Sequence, residues 1–291
     1  MWDEEVDVLC VGGVIGALAS AVVAADAGVD VLIARATAHD GSWPTGAVSD
    51  AETTEYFAAL AGESPAVASS ADTGVTVRTV QAPPEGRGRT VAPFYGARLA
   101  TWTAECLASP YGLMHTRVTD WGTDSVRVVG EGPVQVKLVG TMATDGPGSD
   151  ASSLAGWLFD AAHARGIGRG TEATLQRLVF EDGMVAGAVL ATADGDYAVR
   201  ARHGVTLAPA VAVPAGPVLH GGQQMQVALV SKAGSRFARV ELLTSAPPPA
   251  TRNAPCPGTN RQLPTTLREK RRGRSETRRW HKVDGHPPFG Q

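Results

Sequence analysis

The sequence predicts an α/β chain built on a parallel strand, helix, strand unit and continued by a three-stranded antiparallel meander. Three observations predict it. Over Val6–Ala34 an apolar run, a glycine turn, an alanine-rich stretch and a second apolar run follow one another. Over Thr174–Ala208, apolar runs are separated by Asp182-Gly183 and Asp194-Gly195, the tight-turn pairs of β-hairpins. The composition, 43% hydrophobic and 19% charged with 34 glycines in 291 residues, excludes a disordered or fibrous chain and allows a core of domain size.

In chain order, Val6–Val11 is short, apolar and rich in β-branched residues, as a strand covered on both faces requires. A helix from about Val14 to Ala27 follows, whose Ala17, Ala19, Ala21, Ala24 and Ala25 let it lie close to a sheet, and Gly28 ends it before the strand Val29–Ile33. Helices are expected at Glu52–Leu60 and Ala97–Leu107, and a hairpin at Val126–Val129 and Val134–Val139 around Gly130-Glu131-Gly132-Pro133. Ser149 or Asp150 caps a helix running to Arg165 with Leu154, Trp157, Leu158 and Ala161 on one face. The meander is Thr174–Phe180, Met184–Thr192 and Tyr197–Ala201, after which Val205–Ala208 returns to the main sheet.

After Thr244 the character changes. Pro247, Pro248, Pro249 and Pro255-Cys256-Pro257 lead into a basic run without apolar periodicity, expected to be a disordered Pro-rich tail over 244–291. Residues 244–291 carry 10 Lys and Arg against 3 acids, which leaves 16 bases and 26 acids in 1–243, a body near −10 and a tail near +7. Only Trp280 and Phe289 supply aromatics there and no recognition fold accompanies them, so a nucleic-acid partner is not expected. Cys10, Cys106 and Cys256 form neither a disulfide framework nor a zinc pattern, and the acidic N-terminus has no secretory character. A cytoplasmic chain without a membrane span is the expectation.

The turn Gly12-Gly13-Val14-Ile15-Gly16-Ala17, between a strand and a helix, is the arrangement in which backbone amides and the positive helix end hold a pyrophosphate. In a plain strand-to-helix turn the same glycines would serve packing alone. The stretch Asp7–Ala19 resembles the opening of FAD-binding oxidoreductases of the fumarate reductase, succinate dehydrogenase flavoprotein and ketosteroid dehydrogenase superfamily. A second match, Arg177–Val189 continuing to Ala201–Ala208, is similar to that superfamily's adenine-side strand and meander. The resemblance implies a Rossmann-like FAD-binding domain with a three-stranded β-meander and a partial cap region, shortened at its C-terminal end. It implies 1–50 and 140–243 as the FAD-binding part and 51–139 as the partial cap that meets a small-molecule substrate. The implied activity is hydride transfer between a small organic substrate and FAD.

On this resemblance the cofactor-contacting candidates are Gly12, Gly13, Val14, Ile15, Gly16, Ala17, Ala34, Arg35, Gly41, Ser42, Thr45, Gly46, Leu175 and Ala208. Gly41-Ser42 and Thr45-Gly46 resemble the loop that meets the ribityl chain or flavin; a surface loop is the other reading. Three positions depart from the pattern. Val14 stands where the middle glycine lets the pyrophosphate approach, and Ala34-Arg35 where an acid takes the ribose hydroxyls, although an arginine can favour a phosphorylated ribose. Pro209-Ala210 replaces a glycine pair, and proline removes an amide donor. No catalytic residue is carried over; Tyr111, His115 and Arg117 are polar candidates of the cap, each with a structural alternative. His163 and His203 are expected to face solvent, no metal-ligand spacing occurs, and no strand-to-helix Gly-x-Ser-x-Gly turn is present. The alternative to an enzyme is a non-catalytic or truncated flavoprotein homologue with weak or no FAD binding.

Overall fold

The computed structural model describes residues 1–36, 48, 50–61, 75–81, 96–118, 122–128, 133–144, 151–168, 170–210 and 223–245. Its elements are β1 (Glu4–Gly12), α1 (Val14–Asp26), β2 (Val31–Arg35), α2 (Ala51–Ala61), β3 (Val77–Gln81), α3 (Gly96–Ala108), β4 (Gly112–His115), β5 (Asp124–Val128), β6 (Pro133–Thr144), α4 (Ala151–His163), β7 (Thr171–Glu172), β8 (Thr174–Glu181), β9 (Met184–Thr192), β10 (Gly195–Ala208), β11 (Gln223–Ser231) and β12 (Phe237–Ser245). The expected tail lies outside the described residues from position 246 onward.

The fold is mixed α/β, and the twelve strands among the described residues form one sheet. β1 is parallel to β2 on one side and to β10 on the other, and β8, β9 and β10 form the antiparallel meander. The turn of Gly12–Gly16 and the segment Leu175–Ala208 thus belong to adjacent parts of one sheet, as their sequences imply. One boundary differs from expectation: Tyr197–Ala201 and Val205–Ala208 are a single strand, β10. Arg202 and His203 break the apolar pattern, but the backbone continues through a bulge, where the pairing shifts between Val6 and Val8 and Gly204 takes a φ of +112°.

β3, β4, β11 and β12 were not legible as strands, and they build the other half of the sheet. Pairings β11–β6, β6–β5, β5–β3, β3–β12 and β12–β11 close a ring of five strands, and β4 joins β12 to β10.

Helix α1 is apolar on nearly every side because the sheet and α4 cover it; Ile15, Leu18, Val22 and Val23 are all buried. It ends where Gly28, at φ +76°, lets its own N–H reach the Ala25 carbonyl (2.9 Å) and the Val29 N–H reach the Ala24 carbonyl (3.3 Å). Helix α2 begins at Asp50, whose carboxylate accepts from the Thr53 N–H (2.9 Å) and Thr53 Oγ1 (2.7 Å). Thr53 Oγ1 in turn accepts from the Leu178 N–H (2.9 Å), which fastens α2 to the meander. Strand alternation divides the core in two. Val8 and Cys10 face the cluster that contains α1 and α4, and Leu9 and Val11 face the one that contains Phe57, Trp102 and Leu178. Each fully buried aliphatic side chain of this kind contributes roughly 1.5–3 kcal/mol.

Candidate functional site

The carboxyl ends of three neighbouring parallel strands meet at one level, because Gly12 is the register partner of Ala208 on β10 and of Arg35 on β2. Ligands of open α/β sheets bind at this end. Gly12 has φ +121°, and a Cβ on it would lie 1.9 Å from the Ala208 carbonyl oxygen. Gly13 caps α1 in extended conformation without a side-chain cap; its N–H donates to the Ala208 carbonyl (3.2 Å), and a Cβ on it would lie 2.0 Å from the Pro209 carbonyl oxygen. Both glycines therefore admit the chain's own backbone at Ala208-Pro209. Gly16 is the glycine of close helix-to-sheet approach, with an added Cβ 2.7 Å from Ala208 Cβ and 3.3 Å from the Gly112 carbonyl oxygen. Sequence reasoning gave the close approach to the alanines of the helix, of which Ala17 is buried beside Gly16.

Val14 is half-buried and packs against the α1 cluster, and Ile15 is buried within it. Ala34 is buried on the opposite face, in the cluster that also holds Val11 and Leu175. Leu175 lies on β8, separated from β1 by β9 and β10 in hydrogen-bonding order. The structure thus brings together Gly12–Ala17, Arg35 and Ala208, and Leu175 joins Val11 and Ala34 in the core on the face away from α1. Gly41, Ser42, Thr45 and Gly46 lie outside the described residues.

The donor set at the turn suits a phosphate. The first turn of α1 contains no acid, its leading amides have no acceptor within the helix, and the Arg35 Nε is buried without a hydrogen-bond partner. Pro209 supplies no amide there.

Of the polar candidates, Tyr111 is a core residue whose hydroxyl is buried without a partner, and burial pushes its pKa up to about 12. Arg117 donates to the carbonyls of Arg202 (3.1 Å) and Val185 (3.2 Å), holding the meander to the segment after β4. His115 Nδ1 lies 2.9 Å from Thr206 Oγ1, which accepts from Ser20 Oγ at 3.1 Å, so a polar chain crosses the sheet from α1 to β4. The Cys10 thiol beside this chain is pushed up to about 12 by burial and stays protonated. Burial also pulls His115 down from 6.5 to about 4, so the fold holds the imidazole neutral. Its contribution to stability is complete above the unfolded value of 6.5 and is lost as pH falls from there through about 4. A urea titration at successive pH values should show a loss on the order of 2–3 kcal/mol over that window, and His115→Asn should flatten it.

His115 and Arg117 also border a cleft of about 340 Å³, with Gln135 and Lys137 of β6 and Leu229 and Ser231 of β11 on its sheet wall. Sequence reasoning missed the cleft, because these residues come from separated strands and share no local pattern. His163 and His203 are exposed, as expected. Among the described residues no group of three His, Cys, Asp or Glu could hold a metal ion, and no helix is long and apolar enough to cross a membrane.

No protein-family model matches the chain, and no curated protein matches it. Several solved structures resemble it, two of which follow. One is a 3-ketosteroid-delta4-(5alpha)-dehydrogenase from Rhodococcus jostii in complex with 4-androstene-3,17-dione, at 20% identity and a TM-score of 0.33, over 71% of this chain and 46% of that one. The other is a geranylgeranyl bacteriochlorophyll reductase-like protein from Thermoplasma acidophilum, at 15% identity and a TM-score of 0.27, over 68% of this chain and 38% of that one. The chain therefore spans less than half the length of either of these proteins.

Proposed function

We propose that the chain is the nucleotide-binding part of an FAD-dependent oxidoreductase that transfers hydride between a small organic substrate and flavin. The observation that carries the reading is the shared level of Gly12, Ala208 and Arg35 at the carboxyl ends of three parallel strands, just before the uncapped start of α1. In this reading 1–50 and 140–243 form a Rossmann-like part that faces FAD, and 51–139 a partial cap that meets the substrate. When bound, FAD supplies the redox chemistry. The chain supplies position: the amides of Val14, Ile15 and Gly16 at the start of α1 hold the pyrophosphate, and Gly41, Ser42, Thr45 and Gly46 are the proposed contacts of the ribityl chain or flavin. Cys10 and Cys106 are free and buried, which suits a reducing cytoplasm.

The test is titration of the purified chain with FAD, followed by flavin absorbance and fluorescence. Bound flavin supports the reading, and a colourless protein that takes up none sinks it. In the same titration Val14→Gly should bind FAD about three- to tenfold more tightly, roughly 1 kcal/mol, because it reopens the approach to the helix end. Equal affinities would show that Val14 does not obstruct the phosphate.

A second reading, a non-catalytic homologue with weak or no FAD binding, is favoured by one observation. The glycines at 12 and 13 are spent on contact with Ala208-Pro209 of the chain itself. Failure of both wild type and Val14→Gly to take up flavin would establish it.

A further inference from the structure

The sheet face that α1 and α4 cover runs on beyond the helices into an open cleft. On β6 the helices still reach Gly140, where an added Cβ would lie 2.9 Å from the Trp157 ring of α4. Further along, Lys137 is the cross-strand neighbour of Leu229 on β11, and Gln135 is that of Ser231. These four residues, Arg117, Val118 and the turn that joins β11 to β12 border the cleft of about 340 Å³, and no residue of a helix lines it among the described residues. Leu229 belongs to the apolar cluster under α1 and α4, so the cleft is the uncovered end of a core face. β6 is an interior strand, flanked by β5 and β11. A half-buried ammonium on such a strand calls for a counter-charge, yet Lys137 forms no ion pair among the described residues.

Arg117 is the second cation of the cleft. Its terminal nitrogens donate to the carbonyls of Arg202 and Val185, which fixes the guanidinium without neutralising it. Lys232 in the turn directs its ammonium to the Trp102 ring instead, 5.4 Å from its centre. No acid is among the described residues that line the cleft, although residues 1–243 carry 26 acids against 16 bases. A cationic, water-filled recess in an acidic body concentrates anions. Its other walls are apolar, from Leu229 and Ala238 inside to Val118, more than half exposed, at the rim. One ammonium for direct contact, a fixed second charge and an apolar wall match a single negative charge on an apolar body. A volume at the small end of ligand pockets limits that body to a small molecule. The basic run of residues 244–291 has the wrong sign to fill it. We infer that this cleft binds a small organic carboxylate, with Lys137 as its ion-pair partner and Leu229, Ala238 and Val118 against its apolar part. Arg117 meets β10 at Arg202, six residues or about 20 Å of strand before Ala208, and no residue of the Gly12–Gly16 turn lines the cleft. The inference therefore stands apart from the FAD reading.

The test is ligand-observed NMR titration of the full chain with 3-phenylpropionate and with its neutral amide, 3-phenylpropionamide, and competition with inorganic phosphate. Wild type should bind the carboxylate at least about tenfold more tightly than the amide, the scale of one charge-assisted hydrogen bond. Lys137→Gln should bring that ratio to near one with amide affinity unchanged, and Lys137→Arg should keep most of it. Val118→Ser should weaken both probes by about threefold and leave their ratio intact. Since Lys137 gives up no ion pair, Lys137→Gln should melt with wild type; should it melt lower, the ratio in Lys137→Arg and its decline with salt decide the matter. Equal affinity of wild type for the two probes overturns the inference, and so does a ratio unchanged in Lys137→Gln. Displacement of the carboxylate by an equal concentration of phosphate assigns the cations to phosphate and overturns it too, as does failure of both probes to bind. Neither probe is a nucleotide, so these outcomes leave the proposed function standing or falling on its own titration.

Discussion

Gly13→Ala is expected to cost about 3 kcal/mol or more, lowering the melting temperature by roughly 6–12 °C, or to prevent folding. The backbone at Gly13 is ordinary, with φ −68° and ψ 154°, so alanine is not strained there by its own conformation. The cost is steric. Its Cβ would lie 2.0 Å from the Pro209 carbonyl oxygen and 3.0 Å from the Pro209 carbonyl carbon, both backbone atoms in a buried segment. Relief requires β10 to separate from the turn, which also breaks the bond from the Gly13 N–H to Ala208. Gly156→Ala is the matched control, because a Cβ there meets nothing within 4 Å, and on helix α4 it should be neutral or stabilise by up to about 1 kcal/mol. Thermal and urea melts of the two variants check the pair. If Gly13→Ala melts with wild type, Ala208-Pro209 does not press on the turn.

The second large effect is expected at Glu241, which is fully buried on β12 with a guanidinium on each side. Arg78 of β3 donates to it through Nε and, at 3.1 Å, through its terminal NH2; Arg239 does so at 2.8 and 2.7 Å. Arg239 is also stacked 5.0 Å from the centre of the Trp102 ring and lies 4.0 Å from Glu105. Glu241→Gln keeps the shape and removes the charge, leaving two cations together out of water. Breaking a buried pair in this way costs about 3–5 kcal/mol, so the melting temperature should fall by about 10 °C. The triple variant Arg78→Met, Arg239→Met and Glu241→Leu should recover much of that loss, since a whole buried ion cluster exchanges for apolar packing at little net cost. A triple variant no more stable than Glu241→Gln would mean the cluster contributes something beyond charge pairing.

What the sequence determined by itself is the half of the fold whose signals are local. The strand, turn and helix of Val6–Ala34, the two Asp-Gly hairpins of the meander and the helix after Asp150 each announce themselves within a dozen residues, through periodicity, a terminating glycine or a turn pair. The glycine turn was equally visible. The contacts its glycines make were not, because Gly13 meets Pro209 only after β10 has returned beside β1. The tertiary structure alone decided that β3, β4, β11 and β12 are strands. Gly112–His115 is too short to show a period, and Gln223–Ser231 and Phe237–Ser245 become strands by closing a ring with partners far along the chain. Arg78 and Glu241 are 163 residues apart, so their pairing leaves no trace in any local stretch of sequence. Local geometry is written in neighbouring residues, whereas burial and pairing depend on which distant segments arrive, and so appear only in the folded chain.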